Sequence, residues 1–449
     1  MFHNLQDLKN FIKNKKVLIV GLGRQGGGVD AVRFFDRLGA KLLITDLKSE
    51  SELSLSLEQV KDIDFKGTFG RHSLQDFKDA DFILKGPSVP WDGKYISTAL
   101  ERKIPVYDNI SLFFLLSPSK KIIGITGTRG KTTTTHMIYS YLKKKAKTYL
   151  LGNIPGSKNL TSLFKIKKND WIVMELSSWQ LSGLHRIKKS PRYAVFTNFY
   201  PDHLNFYSDL ESYFFDKSAI FKYQSNTDFL TANKNLKDKI LQYSPVSKIF
   251  WFRENDFPYD FSYLLGKHNK ENAAAAFLLL HKALGFGSAE VIQHLRDFKP
   301  VDFRLQKIKE YKNIIFINDT TSTTPIAAEK AIDALSGKSI FLVLGGSSKG
   351  LDFSNLLKKL DKVEKIFLLP GSFTDQILPE IKKRYSEKLF SDLPFKNLQD
   401  LVCKAVSLAE KSRKKIFILF SPAATSFAQF KNEFDRGRKF NQAVFRCCS

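Results

Sequence analysis

Cysteine is scarce: only Cys403, Cys447 and Cys448 occur in 449 residues, and two of them are adjacent. Thiols so arranged make neither a disulfide framework nor a zinc-ligand spacing, and the expected home is a reducing cytoplasm. No apolar run approaches the roughly 20 residues that cross a bilayer, so membrane insertion is not expected. Residues Met1 to Lys16 mix polar and apolar side chains, with no signal-peptide core ending in small residues. Repeats and low-complexity stretches are missing too, which leaves ordinary globular domains.

Acidic residues are the minority charge, 45 against 71 lysines and arginines, for a formal net charge of +26. An excess of that size can mark a nucleic-acid binder. Here the basic residues are spread through the chain, as at Lys143-Lys144-Lys145, Lys188-Lys189, Lys382-Lys383 and Lys414-Lys415. Several fall where helices are expected to end, so they offset helix dipoles on a solvated surface. Such a field attracts small polyanions such as nucleotides, and no nucleic-acid partner is expected.

What the chain does have is alternation of short β-branched runs with helical stretches, the pattern of α/β units with parallel sheets. Three blocks follow from it. Residues 1–117 hold strands at Lys16–Val20 and Lys41–Thr45, and close at the turn-like Ser117-Pro118-Ser119. Residues 118–300 hold strands at Lys121–Ile125, Trp171–Met174 and Tyr193–Phe196, with an alanine-rich helix around Asn272 to Leu284. Residues 301–449 hold four more strands, at 314–317, 340–343, 366–369 and 416–419. The expected fold is α/β with three domains: Rossmann-like, P-loop-type with a mainly parallel sheet, and Rossmann-like again.

Two glycine turns carry phosphate chemistry. Gly21-x-Gly23-x-x-Gly26 follows a strand and opens a helix, and Asp46 lies twenty residues on. This is the dinucleotide fingerprint: tight turn, helix N-terminus for phosphate, acid for a ribose hydroxyl. A turn that merely joins strand to helix stays open. Gly127-Thr128-Arg129-Gly130-Lys131-Thr132 then sits at a second strand-to-helix turn, with Thr133 continuing the helix. Backbone amides there would cradle phosphates, Lys131 would neutralise charge, and Thr132 would hold Mg²⁺. The spacing departs from the full Walker form, because Ile125 stands where the first glycine is expected.

Other candidates are weaker alone. Glu175 ends a strand of the same block, well placed for Mg²⁺ but equally an ordinary strand-end acid. His203, in Thr197-Asn198-Phe199-Tyr200-Pro201-Asp202-His203-Leu204, reads as metal ligand, general base or structural histidine. Asn269 and Asn272 share a helical face, suited to capping or to an adenine edge. Arg304 suits ATP phosphates or bare solvent. The hydroxyl-rich turn Asn318-Asp319-Thr320-Thr321-Ser322-Thr323-Thr324 suits anion contacts or an N-cap.

Taken in order, these segments resemble the Mur ligase family of peptidoglycan biosynthesis over essentially the whole chain. Gly266-Lys267-His268-Asn269, Gly345-Gly346 with Lys349, and Ser421-Pro422-Ala423-Ala424-Thr425-Ser426 complete the match. The resemblance is nearest to the members that add glutamate to UDP-N-acetylmuramoyl-L-alanine. It implies an ATP-dependent, ADP-forming ligase working through an acyl phosphate, in the cytoplasm and as a monomer. D-glutamate is the default, with L-glutamate or another Mur or folylpolyglutamate-type reaction as alternatives.

The resemblance also implies roles. UDP would replace the dinucleotide at Gly21, Leu22, Gly23, Arg24, Gln25 and Asp46. ATP would meet residues 127–133, Asn269, Asn272, Arg304 and Asp319. Two Mg²⁺ ions would involve Thr132, Glu175, His203 and a carbamylated Lys217. Asn153, Thr323, Lys349, Ser426 and Phe434 would contact substrate, the last three meeting glutamate. Three departures cluster at the amino-acid pocket. Thr321 stands where many glutamate-adding members have lysine, Phe303 where many have histidine, and the aromatic of Glu433-Phe434 is shifted by one. The Asp-Asn-Pro-Arg signature of the diamino-acid branch does not occur.

Overall fold

The computed structural model describes every residue except Met1, Gln25, Pro155, Leu204, Asn205, Leu265, Lys267, Phe427, Ala428 and Ser449. The chain divides into two compact units, Met1–Asp256 with Asn272–Val291, and Phe257–Glu271 with Ile292–Ser449.

The first unit holds two parallel sheets. Strands β1 (Lys16–Val20), β2 (Lys41–Asp46), β3 (Phe65–Phe69), β4 (Phe82–Lys85) and β5 (Val106–Asp108) lie in the order β3-β2-β1-β4-β5. The second sheet is built from β6 (Ile122–Thr126), β7 (Thr148–Gly152), β8 (Trp171–Glu175), β9 (Tyr193–Phe196), β10 (Phe229–Asn233) and β11 (Lys248–Phe252). Its order is β11-β10-β9-β6-β8-β7. Strands β4 and β6 are buried along their whole length, as helices on both faces of a parallel sheet require. In each sheet the chain reverses its direction of build beside the first strand, so β1 and β6 end at switch points.

The two sheets share one apolar core, in which Phe34, Phe35 and Leu112 join Leu160, Ile172 and Leu184. Buried Asp30 ties them further. Its carboxylate accepts the Leu160 N–H at 2.8 Å and also the Thr161 hydroxyl. The alanine-rich helix opens at His268 and is α-helical to Leu278 before a π turn over Leu279–Ala283. Ala273, Ala274, Ala275 and Ala276 are buried in it, small side chains that permit close approach.

The second unit carries β12 (Gln306–Tyr311), β13 (Ile314–Asn318), β14 (Ser339–Gly345), β15 (Lys365–Leu369) and β16 (Ile416–Phe420). Their order is β12-β13-β16-β14-β15, with β12 antiparallel at the edge. The cysteine reading needs correction here. Cys403 and Cys447 form a disulfide, with Cα atoms 5.1 Å apart, while Cys448 is free and buried. Helices Leu398–Glu410 and Glu433–Cys447 pack side by side and bring together thiols 44 residues apart in sequence. No linear spacing announces such a pair.

The glycine fingerprint is realised with one change. Gly21, Gly23 and Gly26 take φ of 93°, 62° and 89°, but close helix–strand packing falls to Gly28. A Cβ on Gly28 would lie 2.2 Å from the Leu22 carbonyl oxygen. Gly28→Ala is therefore expected to destabilise the protein by about 1–3 kcal/mol, read as a lower urea midpoint. An unchanged midpoint would mean that the loop yields freely.

Candidate active site

Strand β6 runs out between β8 and β9, and the turn that follows it is held by the end of β9. Thr128 N–H donates to the Asn198 carbonyl at 2.9 Å, and Arg129 N–H to the Asn198 side-chain oxygen at 2.8 Å. The Thr197 hydroxyl donates to the Arg129 carbonyl at 2.6 Å. Gly127 has φ of 144°, and a Cβ there would stand 2.0 Å from Thr197 Oγ1. Gly130 has φ of 80°, and a Cβ there would stand 2.1 Å from Asn272 Oδ1. Both positions need glycine for conformation and for space. The helix Lys131–Lys143 starts at Gly130 with no side-chain cap and no acid in its first turn. By contrast, the helix Ser178–Ile187 is closed by a Ser177/Gln180 capping box. An uncapped, positive helix end on a fixed turn suits an anion.

Lys131 Nζ donates to the carbonyls of Gly127 at 2.9 Å and Thr128 at 3.1 Å. Lys217, from the helix Leu210–Ser218, is buried and donates to the same Gly127 oxygen at 3.2 Å. Its Nζ also lies 4.7 Å from the centre of the Tyr213 ring. Burial first, and the neighbouring Lys131 charge next, push the Lys217 ammonium well below the usual lysine range. Buried Asp202 stands 3.4 Å from Arg129 Nη1 and 3.8 Å from His203 Nε2. His203 has φ of 58°, and its ring packs 4.8 Å from that of Trp179.

Thr132 Oγ1 donates to Glu175 Oε2 at 2.6 Å, and Asn153 Nδ2 reaches Glu175 Oε1 at 3.5 Å. Among the described residues no three His, Cys, Asp or Glu side chains form a ready-made metal cage. The hydroxyl–carboxylate pair is nonetheless the hard-oxygen set that suits Mg²⁺, an ion that keeps waters and takes substrate phosphates. The residues thus fit the ion. Thr133 and Thr132 are half-buried on the first helical turn.

At the first glycine turn, Asp46 Oδ2 accepts the Gly23 N–H and Oδ1 the Lys48 N–H, both at 2.9 Å. The acid organises the turn with those oxygens and keeps spare lone pairs for a hydroxyl. Leu22 is buried in the core, so only its backbone faces the turn. Arg24 pairs with Glu52 at 2.8 Å. Gln25 lies outside the described residues, as do Leu204 and Lys267.

Asn269, Arg304, Asp319, Thr323, Lys349, Ser426 and Phe434 belong to the second unit, whereas Asn272 belongs to the first. Asp319 is buried and accepts the Ser421 hydroxyl at 2.8 Å and the Leu305 N–H at 3.1 Å. Burial raises its carboxyl to about 7, against those bonds and the Arg304 charge. The departures at 303 and 321 touch each other, since the Thr321 hydroxyl donates to the Phe303 carbonyl at 3.0 Å. Phe303 and Phe434 rings lie 6.2 Å apart, edge to face. Sequence reasoning passed over Asn198, which holds the phosphate turn, and Arg436, buried two positions beyond Phe434. Asn198 stands inside the segment already singled out for His203, which was its one available signal.

The profile described as Mur ligase middle domain matches residues 125–257. A UDP-N-acetylmuramoylalanine--D-glutamate ligase of Borreliella afzelii is 34% identical, over 96% of this chain and 98% of its own. The chain belongs to the Mur ligase family. A ligase of the same name from Geobacillus kaustophilus is 31% identical over 97% of this chain and 98% of its own. Among solved Mur ligase structures, the UDP-N-acetylmuramate-alanine ligase of Thermotoga maritima gives a TM-score of 0.61 at 19% identity. It covers 96% of this chain and 100% of its own. MurF from the same organism, in complex with ADP, gives 0.59 at 19% identity, covering 98% and 96%. At those identities the structural likeness establishes the fold, a three-domain α/β Mur ligase architecture.

Glu175→Gln should keep the shape of the Thr132 contact while removing its charge. The expected result is a loss of about tenfold or more in ATP affinity with Mg²⁺ present, and little change without it. Calorimetric titration in both conditions checks this; equal losses would remove the metal role.

Proposed function

We propose that this chain is an ATP-dependent, ADP-forming ligase that joins D-glutamate to UDP-N-acetylmuramoyl-L-alanine in peptidoglycan precursor synthesis. The observation that carries the reading is the fixed Gly127–Thr132 turn with its Thr132–Glu175 pair, in a chain matching D-glutamate ligases end to end. A carboxylate is a poor acyl donor, because amine attack must expel oxide. In the proposed reaction its oxygen attacks the terminal phosphorus of ATP, the bond to ADP breaks, and an acyl phosphate forms. The glutamate amine then attacks the acyl carbon, phosphate leaves, and the amine gives up a proton.

Lys131 and the backbone amides of the turn would hold the phosphates and offset charge as it develops. Bound Mg²⁺ would supply further positive charge at the phosphate oxygens, one ion on Thr132 and Glu175 and a second helped by His203. Residues 21–25, with Asp46, would hold the uridine diphosphate, and Asn153 would contact substrate. Lys349, Ser426 and Phe434 would receive glutamate, and Thr323 would contact substrate. ATP and a nucleotide sugar as substrates support a cytoplasmic location, and we read the enzyme as a monomer without a nucleic-acid partner. The three domains would be 1–117, 118–300 and 301–449.

Lys217 is the proposed carbamylated lysine. Its neutral amine would attack CO₂, forming an N–C bond and releasing a proton, to give an anion able to orient Mg²⁺. Only about one ordinary lysine in a thousand is neutral near pH 7.4. Burial and the Lys131 charge, which disfavour the ammonium here, support the reaction.

The ligase reading predicts ADP release that requires UDP-N-acetylmuramoyl-L-alanine and D-glutamate together, with L-glutamate at background. Silence with both enantiomers would overturn it. For Lys217, intact mass of the native Mg²⁺-loaded enzyme should include one CO₂ adduct, and Lys217→Ala should lose activity about 100-fold or more. An active, fully unmodified enzyme would remove the carbamate.

A further inference from the structure

Among the described residues of the second unit, the buried cation is an arginine near the C-terminus. Arg436, on the first turns of the helix Glu433–Cys447, is fully buried and has no carboxylate in its hydrogen-bond set. Its Nε donates to Thr320 Oγ1 at 3.0 Å, and Nη2 to the carbonyls of Thr320 at 2.8 Å and Ala424 at 3.1 Å. Nη1 has no hydrogen-bond partner among the described residues. A buried guanidinium with an unpaired N–H is costly unless something anionic or polar compensates it.

Three turns meet at this side chain. Thr320 follows β13, Ala424 follows β16, and Gly346 follows β14, and these three strands are neighbours in the sheet. A Cβ on Gly346 would lie 3.3 Å from Arg436 Nη1 and 2.2 Å from the Thr425 carbonyl oxygen. Gly346 has φ of 137°, so glycine is needed there to let the turn come this close. Ser347 and Thr425 exchange backbone bonds at 3.0 Å, joining the second and third turns directly. Two further buried hydroxyls on these turns, Ser322 and Ser426, lack partners among the described residues. Unpaired hydroxyls on two of the converging turns, beside a buried guanidinium that feels the Glu433 charge but hydrogen-bonds no carboxylate, are complementary to a carboxylate.

We propose that Arg436 is the positioning residue of the amino-acid site. It holds the turns after β13, β14 and β16 at fixed spacing and supplies the positive potential that favours a dicarboxylic amino acid. This rests on the ligase reading and names what sets its affinity for glutamate. Thr320, through its hydroxyl and carbonyl, is the relay between Arg436 and the hydroxyl-rich turn.

The experiment measures kcat and KM for glutamate, ATP and the nucleotide sugar in wild type, R436K, R436M and Thr320→Val. Wild-type turnover tests the ligase reading separately: a silent wild type defeats that reading before any variant is compared. With an active wild type, R436M should raise KM for glutamate about tenfold or more while KM for ATP moves less than about twofold. R436K, which keeps the charge but loses the planar fork, should recover part of that loss. Thr320→Val should show the same glutamate-only rise in smaller degree, and it decides the matter if R436M does not fold. Parallel rises in all three KM values, or a glutamate KM unchanged in R436K and Thr320→Val, would overturn the proposal.

Discussion

The side-chain nitrogens of Lys131 and Lys217 converge on one carbonyl oxygen, that of Gly127, and the phosphate turn is arranged around this fact. Like charges so close repel each other unless a strong anion balances them. The turn that carries this oxygen is fastened by its neighbours. Rigidity comes from Asn198 and Thr197, which fasten residues 127–129 to the end of β9. It comes also from the two glycines that let Thr197 and Asn272 approach. Charge, backbone conformation and neighbouring strand are therefore one device, with Glu175 and Thr132 adjoining it.

The features that could be read from the chain alone are those written locally. Buried parallel strands such as β1 and β6 are nearly continuous apolar runs, and each glycine turn follows one directly. Edge strands with little buried surface, such as β3 and β12, escaped notice, whereas the well-buried edge strand β15 did not. Strand β12, Gln306–Tyr311, has no buried residue and carries three charged residues, so its sequence does not stand out from a loop. Strand β3, with Phe-Lys-Gly-Thr-Phe, is similar. Long-range partnerships were equally silent: the Cys403–Cys447 pair, the grip of Asn198, and the three turns gathered by Arg436. Each depends on which strands or helices are neighbours, and that is not encoded in any short segment.

The unusual residues at 303 and 321 become a single change when seen in space. A lysine at 321 would bring a charge, and a histidine at 303 a titratable ring. This chain has instead a hydroxyl bonded to the backbone of its neighbour and an aromatic ring set against Phe434. Gly437 completes the arrangement, because a Cβ there would lie 2.6 Å from the Phe303 ring and 2.5 Å from Thr320 Cγ2. With the expected lysine and histidine gone, Arg436 remains as a buried positive charge close by, and its desolvation lowers its guanidinium to about 10.

The apolar core common to the first two sheets has a bearing on ancestry and engineering. Asp30 reaches out of the nucleotide-type fold to cap residues 160 and 161, and Phe34 packs on Phe164. The N-terminal sheet is thus no interchangeable cassette. Grafting a different sugar-nucleotide module in its place would have to reproduce that seam, or leave a carboxylate and several phenyl rings stranded.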